Sequence, residues 1–510
     1  MFPQRVNELS VRAGGNTTRF GEFDGMGALA PGESILGDTV YVFYRGYDKK
    51  ETIGGKYQLS LMTAPRSEYA KPGINGDWRV TPLIPPPSDY ALIEPAFSAA
   101  ADDQWRDLLS IVVDGTIYIY SMVVGATQRM VRFSFDEVGE IMTYDGECLW
   151  NGGSWGANIG AVYHHNNNWF VACGVNADDA ALGQAKRMRR SATGVGDTWT
   201  GQNDIMQPTG ADGDIDRYSY VTGWGWQDAS YAYMMVPSIG HVDHIDWPEG
   251  ITLFRTPLSI LDQTDNTWEK YPYPIMLRDP NESATWQLSY ADMGDGFRGS
   301  YLHWGIDNLE AVGATEMLDD RDIPYNGNDA DFFPTSYKNV INVKWGSRLA
   351  LEDWNAPPVV PDRYRIQNVK TGQYMVATDV TENALCQGQA LSGTDRDFWD
   401  ISYENGFSIL TNAASGKILR VRDNGRGNNK FCAVFDSPGT GSANYSGQWL
   451  INPVHDIRSK DGTFIAGGRM VQITNRYSSL RLKINETGDQ ITQRKDAHGT
   501  DGWWRLLKAV

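Results

Sequence analysis

The chain has 510 residues, with 63 acidic and 45 basic side chains and a net charge of −18. That length excludes a single small module and leaves room for two to four domains of about 150 residues each. Aromatics make up 12% of the chain, with 18 Trp, 25 Tyr and 54 Gly against 21% charged residues, a composition of tightly turned β-structure with ample core and not of disorder.

The charge is unevenly spread. Residues 363–510 hold 19 Lys and Arg against 14 Asp and Glu, a net of +5, so residues 1–362 carry 26 against 49, a net of −23. Two units of different character follow. The acidic unit repels phosphate backbones, which argues against nucleic acid as a partner and favours neutral or cationic ligands; the second unit is too weakly basic to reverse this. Cys148, Cys173, Cys386 and Cys432 show no C-x-x-C spacing and are too few for a disulfide scaffold, so buried free thiols are expected. The opening MFPQRVNELS lacks an apolar run after a basic start, so no secretory signal is expected in the sequence as given. The most apolar stretch, 107–126, is interrupted by Asp114-Gly115 and predicts two strands around a turn, with no membrane insertion.

From Phe20 to about Glu352 a pattern recurs: a Gly-rich or acidic approach, an inner strand, a strongly alternating strand, then a segment ending near a Trp. The alternating strands are TVYVFYRGY (39–47), TIYIYSMVV (116–124), NWFVACGV (168–175), YAYMMVPSI (231–239) and GSYLHWGI (299–306). Inner strands are expected at GALAPGESIL (27–36), EPAFSAAA (94–101), ANIGAVYHH (157–165), RYSYVTGWG (217–225) and TWQLSYADM (285–293). Third strands are expected at LSLMTAP, RMRRSAT and ITLFRTPLSI, before Trp78, Trp199 and Trp268. Five such groups predict an all-β, five-bladed β-propeller over 1–351, with a β-sandwich as the alternative because period-2 patterns alone do not separate the two.

The run EDWNAPPVVPD, with Pro357, Pro358 and Pro361, predicts a semi-rigid linker over 352–362. Beyond it, over 363–510, lies a threefold octapeptide, Asn-x-x-Ser/Thr-Gly/Ser-x-x-Leu/Met: NVKTGQYM (368–375), NAASGKIL (412–419) and NRYSSLRL (475–482). A strand precedes each copy, and a Trp follows each one: Trp399, Trp449 and Trp504. Asn with Ser or Thr brackets a tight turn, Gly or Ser relieves it, and Leu and Trp from three repeats meet in one core. This pattern resembles a ricin-type β-trefoil lectin domain. The first 350 residues resemble the five-bladed propeller of glycoside hydrolase families 43 and 32, in which acids from the inner strands converge on a central funnel.

That resemblance implies a carbohydrate ligand and sets the search for chemistry. Glycoside hydrolysis uses two carboxyl groups across the scissile bond, one protonated and one ionised. Acids that precede or open inner strands are Glu22 and Asp24 in GEFDGMGALAP, Glu94 in ALIEPAF, and Asp214 and Asp216 in ADGDIDRYS. Asp24, Glu94 and Asp216, from three blades, are the candidate catalytic residues. Glu22, Trp155, Asn158 and Arg217 are the candidate substrate-binding residues. Trp155 is the preferred stacking aromatic among Trp155, Trp224, Trp226 and Trp286, for which packing between blades is the alternative. The third inner strand departs from the family pattern, because Asn158 stands where a general acid is expected.

No cofactor is expected. Asp212-x-Asp214-x-Asp216 copies the opening of a calcium loop, but Arg217 replaces the Gly and no bidentate Glu follows, so calcium would need another geometry. His241, Asp243 and His244 read as a polar surface loop. In ricin-type modules an Asp usually follows the octapeptide Leu; here Val376, Arg420 and Lys483 occupy those places. Asp379, Asp423 and Glu486, three residues later, are the candidate trefoil sugar-binding residues. The expectation is a carbohydrate-binding and glycoside-hydrolysing protein, extracellular or virion-associated, with a glycan or polysaccharide as partner. The alternative is a non-enzymatic adhesin or structural protein, such as a viral tail component, with an assembly partner on the trefoil.

Overall fold

The computed structural model describes residues 4–10, 27–47, 57–65, 79–82, 104–124, 128–150, 155–156, 158–220, 223–240, 250–264, 266–277, 285–288, 291–292, 297–306, 337–346, 354–425, 427–436, 445–453, 470–485, 487, 489–494 and 501–509. Nearly all regular structure is strand, and no helix among these residues is long and apolar enough to cross a membrane. Glu22, Asp24, Glu94, His241, Asp243, His244, Trp286's side chain and Glu486 lie outside the description.

Five antiparallel groups make the blades. Blade one is Gly27–Leu36, Thr39–Tyr47, Tyr57–Pro65 and Arg79–Pro82. Blade two is Gln104–Val113, Thr116–Val124, Gln128–Asp136 and Ile141–Trp150. Its inner strand is therefore Gln104–Val113, joined to the next strand by the Asp114-Gly115 turn, and not 94–101, which falls outside the described residues. Asp114 and Gly115 both have positive φ, as a two-residue hairpin with right-handed strand twist demands. Blade three is Ile159–His165, Asn168–Asn176, Gln184–Ser191 and Gly196–Met206. Blade four places Ser219–Tyr220 and Trp224–Gln227 against Tyr231–Ile239, then Gly250–Pro257. Blade five runs Thr285–Leu288, Phe297–Ile306 and Tyr337–Gly346, and its outermost strand is Gln4–Ser10 from the other end of the unit.

The inner strands adjoin one to two, two to three, three to four and five to one, and that of blade five lies against Tyr231–Ile239 of blade four, which completes the ring. They run parallel: Gly32 lies against Leu108, and Ser34 Oγ donates to Ser110 Oγ at 2.8 Å. Gly223 and Gly225 likewise track Gly160 and Ala161. A Cβ at Gly225 would run into Ala161 and the Tyr163 hydroxyl, so the close approach of blades three and four requires glycine there. In blades one to four the amino-terminal ends of these strands thus face one mouth of the channel, and the carboxy-terminal ends the other. Between blades the core is aromatic: Trp155, Trp169, Trp199 and Trp224 share one buried cluster with Leu109, Tyr120 and Tyr233.

Among the described residues the second unit has twelve strands. Six close a barrel in the cyclic order Arg363–Asn368, Phe398–Glu404, Phe407–Asn412, Trp449–Pro453, Met470–Asn475 and Trp504–Lys508, the last pairing with the first. Three hairpins cap it, Tyr374–Ala377 with Ala384–Gln389, Ile418–Val421 with Cys432–Phe435, and Arg481–Ile484 with Ile491–Arg494. This is a β-trefoil, and the octapeptides build it. Asn368, Asn412 and Asn475 are fully buried. Each Oδ1 accepts from the Ser or Thr three residues on, and each Nδ2 donates to two carbonyls of the neighbouring repeat. Each indole of Trp399, Trp449 and Trp504 donates to the carbonyl of the octapeptide's last residue, Met375, Leu419 or Leu482. Gly372, Gly416 and Ser479 carry the positive φ that closes each turn.

The connecting segment is gripped from both sides. Trp354 joins the propeller core beneath the Arg255 guanidinium, 4.2 Å from the ring centroid, and Tyr271 donates to the Ala356 carbonyl at 3.1 Å. The Tyr403 hydroxyl accepts from Val359 N–H at 3.0 Å and donates to the Val359 carbonyl at 2.9 Å. Burial pushes the Tyr403 phenol up to about 12. The folded pKa lies above the unfolded value near 10, so this contribution is intact below pH 10 and lost as pH rises toward 12. Thermal melts between pH 9 and 12 should show wild type losing at most about 2 kcal/mol more than Tyr403→Phe, which starts lower and falls less. Parallel curves would remove Tyr403 from this role. All four cysteines are buried and free, as expected.

Candidate functional site

Of the candidates within the described residues, Trp155, Asn158, Asp214, Asp216 and Arg217 precede or open the inner strands of blades three and four, and blade three shows the construction best. Gly156 has φ 98 and lies where any Cβ would collide with the Gly174 carbonyl, so the approach to the inner strand hugs the second strand. Gly174 N–H then donates to the Asn158 carbonyl at 2.8 Å. The Asn158 side chain is buried, its Nδ2 donating to Gln184 Oε1 at 3.0 Å and its Oδ1 accepting from Lys186 Nζ at 3.0 Å. Lys186 is fully buried. An amide serves here where an acid would not, since a carboxyl group beside this ammonium would be held ionised and could not donate a proton. Position 158 is thus built to hold an amide.

Lys186 and Gln184 escaped the sequence reading. The signal was present: QAKRMRRS (Gln184–Ser191) puts four cations into one strand of an otherwise acidic unit. Arg189 from the same strand is buried with its guanidinium 4.2 Å from the Trp150 ring centroid and 5.0 Å from that of Trp155, and burial lowers its pKa.

Trp155 is only 3% exposed. Its indole N–H donates to the Cys148 carbonyl at 2.8 Å and its ring meets Trp199 edge-on at 5.2 Å. It therefore packs between blades, the alternative named for it, and presents no free face to a sugar. Trp224 is buried in the same cluster, while Trp226 is half-buried and stacked on Tyr233 at 5.1 Å and 13°.

In blade four the acidic run disperses. Asp216 is fully buried; Lys270 Nζ donates to its Oδ1 at 3.0 Å and the Tyr220 hydroxyl to its Oδ2 at 2.8 Å. Asp214 lies 3.7 Å from the same ammonium, and Asp212 is paired with Arg217, which also stands 4.8 Å from the Tyr218 ring centroid. Both oxygens of Asp216 thus accept hydrogen bonds from within the fold. The Arg217 guanidinium is turned toward Asp212. Among the described residues no group of three His, Cys, Asp or Glu could hold a metal ion.

On the trefoil, Asp379 and Asp423 are exposed at the same position of two successive repeats, and Asp379 accepts from Val380 N–H at 2.6 Å. Asp423 sits at φ 58 in a turn. Of the residues holding the usual carboxylate positions, Val376 is buried, Arg420 donates to Asn424 Oδ1 at 2.7 Å and Ser446 Oγ at 3.1 Å, and Lys483 pairs with Asp501 at 2.8 Å.

Residues 352–432 match the family described as ricin-type beta-trefoil lectin domain-like. That match falls on the linker and the first half of the β-trefoil. Among solved structures the chain is similar to an exo-beta-1,3-galactanase from Clostridium thermocellum, at 11% identity and TM-score 0.40, covering 95% of this chain and 96% of that one. It is similar to a GH43 beta-xylosidase/alpha-arabinofuranosidase from a compost microbial metagenome at 9% identity and TM-score 0.40, covering 67% and 94%. The trefoil is similar to a Macrolepiota procera ricin B-like lectin in complex with lactose, at 15% identity and TM-score 0.23, covering 30% of this chain and 98% of that one. No curated protein matches the chain.

Proposed function

We propose that this is a carbohydrate-directed protein that holds a glycan at the amino-terminal mouth of the propeller channel and hydrolyses it with Asp24 and Glu94 as the carboxyl pair. The observation carrying the carbohydrate reading is the lectin-like match over 352–432 in a trefoil seated on a five-bladed propeller. It favours a glycan partner over the viral-attachment alternative, which no finding supports. The division into 1–351, 352–362 and 363–510 is part of this proposal, as are Glu22 at the mouth and Glu486 on the trefoil.

A second reading, glycan binding without turnover, is favoured by Asn158 and by the committed carboxylate of Asp216. Two acids suffice for hydrolysis only if one stays protonated, and Lys186 and Lys270 both oppose that in their own blades. Released reducing ends from a panel of polysaccharides and aryl glycosides decide between the two. Hydrolysis by the intact chain, lowered about 10³-fold or more in Asp24→Asn with binding retained, is the expected result. Binding with no turnover in either protein would establish the second reading.

A further inference from the structure

The approach to blade four, residues 209–217, is held by both units at once. The Gly213 carbonyl accepts from Arg476 Nη1 at 2.6 Å, and a Cβ at Gly213 would run into the Asn405 amide, so the trefoil presses directly on the backbone here. Ile215 packs with Phe407 and Leu450 of the trefoil. Asp214 and Asp216 turn the other way: the first lies 3.7 Å from Lys270 Nζ, and the second accepts from it at 3.0 Å. Alternate residues thus face the trefoil and the propeller.

The other partner of that ion pair is bounded by the same trefoil element. Lys270 runs on into Tyr271, Pro272 and Tyr273. The hairpin turn Asn405-Gly406, between Phe398–Glu404 and Phe407–Asn412, lies against this segment: a Cβ at Gly406 would run into the Pro272 carbonyl, and Tyr403 meets Tyr273 edge-on at 4.9 Å. Gly406 has φ 81, a conformation that strains residues with a side chain. One trefoil turn therefore touches both segments that supply the Asp216–Lys270 pair, at Gly213 before the carboxylate and at Pro272 after the ammonium.

This placement reaches the mouth because the approach leads straight into the inner strand Ser219–Tyr220. Gly183 N–H donates to the Tyr218 carbonyl at 2.7 Å, and Gln184 N–H to Ser219 Oγ at 2.8 Å. The Gln184 side chain in turn accepts from Asn158 Nδ2. A short stretch of backbone and two hydrogen bonds connect Gly213, under the trefoil, to Asn158. We propose that the trefoil is a positioning clamp for the propeller: Arg476 and the Asn405-Gly406 turn set the blade-four side of the amino-terminal mouth, and a glycan held there binds with an affinity that depends on the docked trefoil. A loop fixed in advance spares the complex the entropy of ordering it. The effect on affinity rests on the glycan reading proposed for this mouth; the placing of the loop does not.

The test compares the intact wild-type chain with Arg476→Ala and Gly406→Ala, and with Gly372→Ala as a control, since Gly372 has φ 71 in another trefoil turn and nothing lies within 4 Å of a Cβ there. Thr209, Gly210 and Tyr218 N–H donate to the carbonyls of Asp216, Arg217 and Ile239. Amide exchange over 209–218, followed by mass spectrometry, should quicken about tenfold or more in both clamp variants and stay at the wild-type rate in Thr116–Val124 and throughout 209–218 of the control. Among xylo-, galacto- and gluco-oligosaccharides, one that slows exchange in Ile159–His165 of wild type marks the mouth. Its Kd should weaken about tenfold in both clamp variants and remain unchanged in Gly372→Ala. Unchanged exchange over 209–218 in both clamp variants overturns the clamp, and so does equal quickening in Gly372→Ala, which would make the effect one of trefoil stability. Faster exchange with an unchanged Kd overturns the coupling to the ligand. If no oligosaccharide binds wild type, the glycan reading falls and exchange alone decides the clamp.

Discussion

Replacing Arg476 with alanine should loosen the trefoil from the propeller at a cost of about 2–4 kcal/mol. This side chain is 1% exposed, and its Nη1 donates to the Gly213 carbonyl of the propeller at 2.6 Å and to Gln448 Oε1 of the trefoil at 2.7 Å. Its guanidinium lies 4.2 Å from the Phe407 ring centroid and 3.9 Å from that of Tyr445. Truncation strands a buried carbonyl and opens a hole beside the apolar cluster of Ile215, Leu277, Phe407 and Leu450, which spans both units. Lysine should rescue little, because a single ammonium cannot bridge two acceptors while lying flat on two rings. Calorimetry should show one transition in wild type and two separated transitions in Arg476→Ala. A single unshifted transition would mean that the apolar cluster alone holds the units together.

A comparable loss, about 3 kcal/mol, is expected for Asn368→Ala, confined to the trefoil. Asn368 Nδ2 donates to the carbonyls of Asp501 at 2.8 Å and Trp503 at 3.3 Å, so it fastens the first repeat to the last and closes the barrel. Its Oδ1 accepts from the N–H groups of Lys370 and Thr371, both at 3.1 Å. Alanine leaves four backbone groups without these partners. Aspartate would keep the turn and lose the closure, so Asn368→Asp should fall between wild type and alanine in denaturant midpoint. Equal midpoints for Asn368→Ala and wild type would show that water replaces the side chain.

The trefoil was the more legible half because its turn chemistry is written into the sequence three times: the buried Asn, the residue at positive φ and the Trp recur in register. The alternating strands of the propeller were equally readable, since Thr39–Tyr47, Thr116–Val124 and Tyr231–Ile239 bury apolar side chains at every second position or more. The second inner strand, Gln104–Val113, is not marked by alternation, because polar Gln104, Arg106, Asp107 and Ser110 interrupt its apolar positions. The surroundings of Trp155 and Asp216 were not legible for a different reason. Residue type and spacing reveal that a carboxylate or an indole lies near the mouth, but the partners that consume it, Lys270, Tyr220 and Trp199, come from strands far along the chain.

Blade five draws its outermost strand, Gln4–Ser10, from the beginning of the propeller and its neighbour, Tyr337–Gly346, from the end. During synthesis the first strand therefore waits, with no partner of its own, until more than three hundred further residues have been made. Blades two to four assemble from local hairpins, whereas ring closure is the slow, long-range event. Any lesion that delays Tyr337–Gly346 leaves an open circle whose two free strand edges invite pairing with a neighbouring molecule.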